Sequence, residues 1–324
     1  MALALSLKEA GKQVIALTVE HGLRPESAAE ALYVAEVMEA SGIEHHILRW
    51  DGSKPETGLE EAARQARYRL MLDFCHEHQI KALATGHHRR DQAETFLLRL
   101  QRGSGVYGLS GILPVSEREG VKIIRPQLET APEDLRDFLT SKNIRWIEDP
   151  MNSQEDFMRV KVRHFLPKLE NIGIDEKRLA ETAATLLKTR LFLQSMVDGF
   201  LQNQVRRWNG IAASLSWQKL TALPSEISIL ALGQLVREIG GSNYLPEACE
   251  TQRVLASGNE FRGCTLGNCE LFIASKRLWI VPQDKGNRLM PRAEWETFVK
   301  EHPVYKNAGL PYKVRRALKD GMKV

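Results

Sequence analysis

The sequence predicts a doubly wound α/β parallel sheet followed by a mainly helical region and a small α+β C-terminal part. Three observations carry that expectation. Short apolar runs of strand length alternate with longer helical stretches through the first half. From Asp175 onward helical patterns follow one another, and beyond Thr251 short β-like runs separated by turn residues close the chain.

The chain opens on a helix, Ala2 to Ala10, stopped by Gly11 and followed by a strand at Val14–Val19. Then come a helix from Glu26 to Ser41, a strand at Ile47–Trp50, a helix from Leu59 to His78 and a strand at Ala82–Thr85. A helix from Asp91 to Arg102, a strand at Val121–Ile124 and a helix from Pro132 to Lys142, with proline at its start, complete the alternation. Asp175 to Gln204 reads as one or two long helices and Pro224 to Ile239 as another. Cys264–Leu266, Leu271–Ile273 and Leu278–Val281 read as strands. Changes of texture near 165–172 and near 245 divide the chain into domains 1–168, 169–245 and 246–324. A βα unit begins with its strand, so a chain that opens on a helix starts its sheet half a unit late. The loop after a first strand commonly holds a phosphate at a helix N-terminus, and here that turn is expected to lie before Met1.

At 324 residues, 43% hydrophobic and 27% charged, the chain has ordinary soluble composition and is long enough for about two domains of roughly 100–200 residues. No apolar run approaches the ~20 residues needed to cross a bilayer, and Met1–Leu7 is too short and uncharged at its start for a signal peptide. No membrane partner is expected. Four cysteines, Cys75, Cys249, Cys264 and Cys269, form no CxxC and no zinc spacing, so free buried thiols in a reducing cytoplasm are expected. The net charge of +4 is uneven: Tyr305–Val324 holds six basic side chains and one acidic one, a net +5, leaving −1 elsewhere. A basic tail suggests a polyanionic partner, although charge runs are more often just solvated faces.

Gly103-Ser-Gly105-Val-Tyr-Gly108 matches G-x-G-x-x-G literally, but it follows a helix where a dinucleotide site needs a strand before it; a helix stop and a flexible loop are expected instead. The denser cluster is Thr85-Gly86-His87-His88-Arg89-Arg90-Asp91-Gln92-Ala93-Glu94, running from a strand's carboxyl end into a helix, the edge where ligands bind in open α/β sheets. Asp91 and Glu94, three apart, share a helix face and could jointly hold a metal or an amine; an acidic first turn satisfying the helix dipole is the structural alternative. Vicinal histidines at a strand end point apart, which disfavours a zinc site on His87 and His88 and suits imidazoles near phosphate. Arg64 and Arg67, three apart on a helix, suit a phosphate clamp, and pairing of Arg64 with Glu60 or Glu61 is the structural alternative.

The strings VEHGLRPES, EAARQARYRL, TGHHRRDQAETFLLRLQRGSGVYGLSGI, Arg125-Pro126 and EDPMNSQEDFMRVKVRHFLPKL resemble, in order and spacing, tRNA(Ile)-lysidine synthetase, densely over residues 1–170 and more loosely beyond. The resemblance implies an N-type ATP pyrophosphatase of the PP-loop kind, with an adenine nucleotide alpha-hydrolase-like sheet. It implies ATP and Mg²⁺ as cofactors and, as partners, L-lysine and tRNA(Ile) with a CAU anticodon; members are often homodimers. The implied reaction joins lysine to C2 of the wobble cytidine, releasing AMP and pyrophosphate. On that pattern Asp91, Glu94 and His87 are catalytic, with Asp91 and Glu94 holding lysine or Mg²⁺. His21, Gly22, Arg64, Gly86 and His88 bind ATP, and Arg102, Arg159, Arg163, Arg315 and Arg316 contact tRNA.

Three departures qualify the resemblance. Arg90 stands where the family usually has Asp, Glu20 stands where it often has Asp, and the SGGxDS phosphate loop is absent from the chain. The chain by itself is therefore expected to be inactive or badly impaired, through either a mis-assigned start or a truncation. Two other functions stay open: a different PP-loop tRNA-modifying enzyme, such as a thiolase, and a non-catalytic tRNA-binding remnant. The absence of CxxC weighs against the thiolase.

Overall fold

In a computed structural model, which describes residues 1–22, 26–52, 54–55, 57–147, 158–208, 210–242, 244–283, 310, 313 and 314, the first element is helix α1 (Ala2–Glu9). It buries Ala2 and Leu5 against Met38, Ile43 and Leu139, and Gly11, at φ +74°, ends it. Strands β1 (Ile15–Glu20) and β2 (Glu44–Arg49) flank helix α2 (Ser27–Ala40) in sequence and pair in parallel, Ile15 opposite Glu44. Helix α3 (Leu59–Glu77) leads to β3 (Ala82–Ala84). Helices α4 (Arg89–Gln101) and α5 (Val106–Leu109) precede β4 (Val115–Arg118) and β5 (Val121–Ile124). β5 pairs in parallel with β3 and in antiparallel with β4. The β4–β5 turn places Glu119 and Gly120 at φ +52° and +76°, as a tight hairpin of right-twisted strands requires. The sequence reading omits β4, because Val115-Ser-Glu-Arg118 has one apolar residue and no alternation to signal a strand.

The predicted elements of the first half occur in the predicted order, with α5, β4 and a helix at Met158–Glu170 added, and the sheet differs. β2-β1 and β3-β5-β4 are two separate sheets. β1 carries an apolar run of the kind a doubly covered parallel strand shows, yet all six of its residues are only half-buried. Helix α3 joins the two sheets: Tyr68, Met71, Leu72 and Cys75 form one core with Leu17, Val19 and Leu48 from the first and Leu83, Val121 and Ile123 from the second. Helices α6 (Pro132–Ser141), α7 (Met158–Glu170) and α8 (Glu176–Gln204) follow.

The chain forms two compact units, Met1–Arg190 and Leu191–Val324. In the second, β6 (Arg206–Trp208), β7 (Ala212–Ser216), β8 (Gly263–Leu266), β9 (Cys269–Ala274) and β10 (Arg277–Pro282) make an antiparallel sheet in the order β6-β7-β10-β9-β8. Helices α9 (Trp217–Thr221), α10 (Ser225–Gly240) and α11 (Ala248–Ala256) lie between β7 and β8 in sequence. Leu215, Leu232, Leu235, Leu271, Leu278 and Ile280 form its core. β6 and β7 were not expected: the small residues of Ala212-Ala-Ser-Leu-Ser216 carry little strand signal, and pairing with β10 is what buries them. The sheet therefore draws on residues from both sides of position 245. At Gly240 a side chain would come within 2.3 Å of the Gly267 carbonyl, so the end of α10 can reach the β8–β9 turn only as glycine.

Cys75 and Cys269 are buried and Cys264 half-buried, but Cys249 is exposed on α11, so burial of all four thiols does not hold. Burial pushes the Cys269 thiol up to about 12. Among the described residues no helix is long and apolar enough to cross a membrane.

Leu72 is fully buried where α3 meets both sheets. Leu72→Ala should cost about 2–5 kcal/mol, read as a lower denaturant midpoint of the first unit; a change below about 1 kcal/mol would show that α3 does not join the two sheets.

Candidate functional site

A cleft of about 920 Å³ opens between the two sheets of the first unit. Thr18 of β1, Arg64, Arg67 and Tyr68 of α3, Thr85, Gly86 and His87 after β3, Asp91 of α4 and Arg159 of α7 are among the residues that line it. The helices bring these side chains together for simple reasons. Arg64 and Arg67 share one face of α3 because they are three apart, and the apolar positions that follow, Tyr68, Met71 and Leu72, fix that face against the strands. Arg64 lies over the Tyr68 ring at 5.4 Å, with Arg118 5.5 Å from the same ring.

His87 and His88 part, as the strand geometry predicts. His87 enters the cleft, its Nδ1 2.9 Å from Thr85 Oγ1. Burial, outweighing attraction from Asp91, lowers its pKa to about 4, with Arg125, Arg64 and Arg159 adding to the shift, so it is neutral at pH 7. His88 becomes the N-cap of α4: the Asp91 N–H points at its Nδ1 at 3.4 Å, and Asp91 Oδ2 accepts the His88 N–H at 2.9 Å.

The two carboxylates expected to act jointly also part. Asp91 lines the cleft. Glu94 is 0% exposed, its Oε1 2.5 Å from Arg163 Nε and its Oε2 3.3 Å from Arg159 Nε. Burial pushes the Glu94 carboxyl above its ordinary range and Arg163 and Arg159 oppose that push. Glu94 thus anchors α7 to α4 and delivers Arg159 to the cleft. Arg159 and Arg163, read as tRNA contacts, both converge on this one carboxylate.

Arg90, the residue in place of a carboxylate, turns elsewhere. Its Nε is 2.5 Å from Glu176 and its Nη2 2.6 Å from Glu133, which fastens the start of α4 to the starts of α6 and α8. The positive charge is thereby neutralised outside the cleft. Glu20 lies 3.1 Å from Arg49 across the β1–β2 pair.

His21 and Gly22 follow β1. His21 stands edge-on to Trp50 with ring centroids 5.9 Å apart, and burial, then Arg67 and Lys54, lower its pKa. The Gly22 carbonyl accepts Lys54 Nζ at 2.7 Å. Arg102 caps the far end of α4, 13 residues or about 20 Å from the cleft end. The adjacent glycine loop and the residues after it are held by hydrogen bonds. Gln92 donates to the Ile112 carbonyl at 2.9 Å and accepts its N–H at 2.6 Å, and Arg190 Nη1 donates to Tyr107 O at 3.1 Å and Ser110 Oγ at 3.0 Å. Arg315 and Arg316 lie outside the described residues.

Arg67, Trp50, Lys54 and the anchoring role of Glu94 had weak sequence signals. The i, i+3 spacing of Arg64 and Arg67 pointed to the pair, but that Arg159 joins them depends on its contact with Glu94, 65 residues away in sequence.

A magnesium ion needs hard oxygen ligands. Among the described residues no group of three His, Cys, Asp or Glu converges, and Asp91 is the acidic residue lining the cleft. That donor set fits an ion carried in on phosphates and touched by one carboxylate, and does not fit an ion held by protein ligands alone.

A parallel-stranded α/β unit with a cationic cleft at the strands' carboxyl ends is the architecture of the PP-loop domain, and the profile of that family matches residues 1–170. A solved U34-tRNA thiolase from Methanococcus maripaludis shares the fold at TM-score 0.50 and 19% identity, over 58% of this chain and 68% of that one. Relatives named tRNA(Ile)-lysidine synthase include one from Ruegeria pomeroyi, 37% identical over 81% of this chain and 62% of its own length. Another, from Methylobacterium nodulans, is 36% identical over 83% of this chain and 82% of its own length. A third, from a Bradyrhizobium species, is 37% identical over 71% of this chain and 66% of its own. The chain belongs to the tRNA(Ile)-lysidine synthase family of PP-loop proteins.

Two outcomes follow from the site. Glu94→Ala leaves two guanidiniums without their carboxylate and should lower stability by about 3 kcal/mol, with faster hydrogen exchange in α7; unchanged exchange would refute the anchoring role. For His87, the unfolded chain takes up its proton near pH 6.5 and the folded chain only near pH 4, so stability is complete above pH 6.5 and is lost as pH falls from there toward 4. His87→Gln should flatten the midpoint's pH dependence in that window, and an equal slope in both proteins would assign the titration to another group.

Proposed function

We propose that the chain belongs to an ATP-dependent ligase that joins lysine to C2 of the wobble cytidine of tRNA(Ile) with a CAU anticodon. The observation that carries this reading is the convergence of Arg64, Arg67 and Arg159 with a neutral His87 at one cleft that also holds Asp91. Three guanidiniums suit a triphosphate, and a neutral imidazole can donate a hydrogen bond to phosphate without adding charge. The basic side chains hold the phosphates so that cytidine O2 can attack the α-phosphorus and pyrophosphate can leave. The ε-amine of lysine then displaces AMP from C2 and loses a proton. Asp91, which lines the cleft and has no guanidinium ion pair among the described residues, holds the lysine ammonium in this reading and accepts that proton. Mg²⁺ arriving with ATP would supply charge neutralisation on the phosphates, touched by Asp91.

The names of the relatives, together with the PP-loop match, support tRNA modification; lysine as the nucleophile and this tRNA as acceptor are the specific part of the proposal.

The test is pyrophosphate release with ATP, lysine and tRNA(Ile) transcript, and transfer of labelled lysine to the tRNA. Lysine-dependent labelling of the CAU transcript, and none of a transcript with another wobble base, is expected; a requirement for a sulfur donor or glutamine in place of lysine would overturn the reading. Arg64→Ala/Arg67→Ala should weaken ATP binding at least about tenfold with little change in tRNA affinity.

A further inference from the structure

The family resemblance gives Arg159 and Arg163 of α7 to tRNA, yet both turn inward to Glu94, at 3.3 and 2.5 Å. Val160 and Leu166 are buried as well, Leu166 against Ala93 and Phe96 of α4. The helix runs antiparallel to α4. Gln101 Nε2 donates to Met158 Sδ at 3.8 Å at one end, and Glu170 lines a pocket with Arg89 and Arg90 at the other.

What α7 turns outward is a different set. At about 100° per residue, Met158, Lys161, Phe165 and Lys168 fall within about a quarter-turn of one another, with His164 beside them. All are exposed, Phe165 to 50% and Met158 to 45%. Glu170, the acidic residue of the helix, follows Lys168 by two positions and so lies about 200° round from it. Lys161 and Lys168 form no ion pair among the described residues. Lys161 stands four residues before Phe165 and Lys168 three after, the spacings at which side chains meet on a helix surface, so an aromatic ring lies between two ammonium groups. The end of α4 that meets Met158 adds exposed Leu100 and Arg102, and Arg159, next to Met158, lines the cleft. A ring between lysines offers a base a stacking face and its flanking phosphates a charge, which suits unpaired RNA; a duplex keeps its base faces hidden and could use the lysines alone.

We propose that the outward face of α7 is the track on which the acceptor RNA lies beside the cleft, with an unpaired base stacked on Phe165 and the phosphates around it on Lys161 and Lys168. Arg159 and Arg163 serve that track by holding α7 in place through Glu94. The inference rests on the reading of the chain as a tRNA-modifying enzyme and adds the kind of RNA segment and the side chains that hold it.

The test compares binding of the full chain to an anticodon stem-loop and to a fully paired duplex of equal length, each across a salt series. Phe165→Leu keeps the apolar surface without the ring, and Phe165→Trp keeps a ring. Phe165→Leu should weaken loop binding at least about fivefold and leave duplex binding unchanged, while Phe165→Trp binds the loop at least as well as the unsubstituted chain. Lys161→Gln/Lys168→Gln should weaken both RNAs and lower the slope of log affinity against log salt by about 1.4–1.8. ATP affinity should stay constant throughout. The proposal is overturned if Phe165→Leu holds the loop as tightly as the unsubstituted chain, if it weakens loop and duplex alike, or if the double glutamine variant keeps the original slope. It is overturned too if the unsubstituted chain binds neither RNA. Loop binding that depends on Phe165 without any lysine transfer would uphold the track and overturn the lysine ligase reading, whereas lysine transfer with loop binding untouched by every variant would do the reverse.

Discussion

Tyr68, Met71, Leu72 and Cys75 on α3 bury side chains from both strand groups, and that shared contact decides most of what the first unit can do. A helix held against two separate sheets fixes the width of the cleft between them. It also fixes where the preceding turn of the helix points, so Arg64 and Arg67 are delivered to the strands' carboxyl ends by apolar packing one to eleven residues away. Stability and charge placement are thus set by opposite ends of one helix.

The second organising feature is the disposition of charge around the start of α4. Four residues, Arg90, Asp91, Glu94 and the N-cap His88, lie within two turns, yet each is directed to a different task. Arg90 binds Glu133 and Glu176, Asp91 caps the helix and borders the cleft, and Glu94 is sealed beneath Arg159 and Arg163. A fully buried carboxylate is tolerable only with such partners. The result is a cleft with more positive than negative charge, suited to a polyanion, even though the local sequence is rich in carboxylates.

Much of this was legible in the sequence. Nine of the first unit's helices and strands follow from hydrophobic period and punctuation, because apolar residues recur at helix spacing in Leu59–Glu77 and cluster at strand length in Ile15–Glu20 and Val121–Ile124. The candidate site at Thr85–Asp91 was read from the rule that ligands bind at strand carboxyl ends, and Thr85, Gly86, His87 and Asp91 line the cleft. What was not legible is every feature that depends on a distant partner: β7 needs β10 to bury its alanines, the glycine loop needs Gln92 and Arg190 to hold it, and Glu94 needs α7.

The sequence by itself determined the alternation of elements, the family and the cationic character of the cleft, since these rest on local periodicity, motif spacing and residue type. Tertiary structure alone decided that Asp91 and Glu94 separate, that Arg90 leaves the cleft, and that the described parallel strands stand as two sheets. The physical reason is that a side chain's role is set by which charges and backbone edges lie within a few ångströms of it, and those neighbours come from segments tens of residues away.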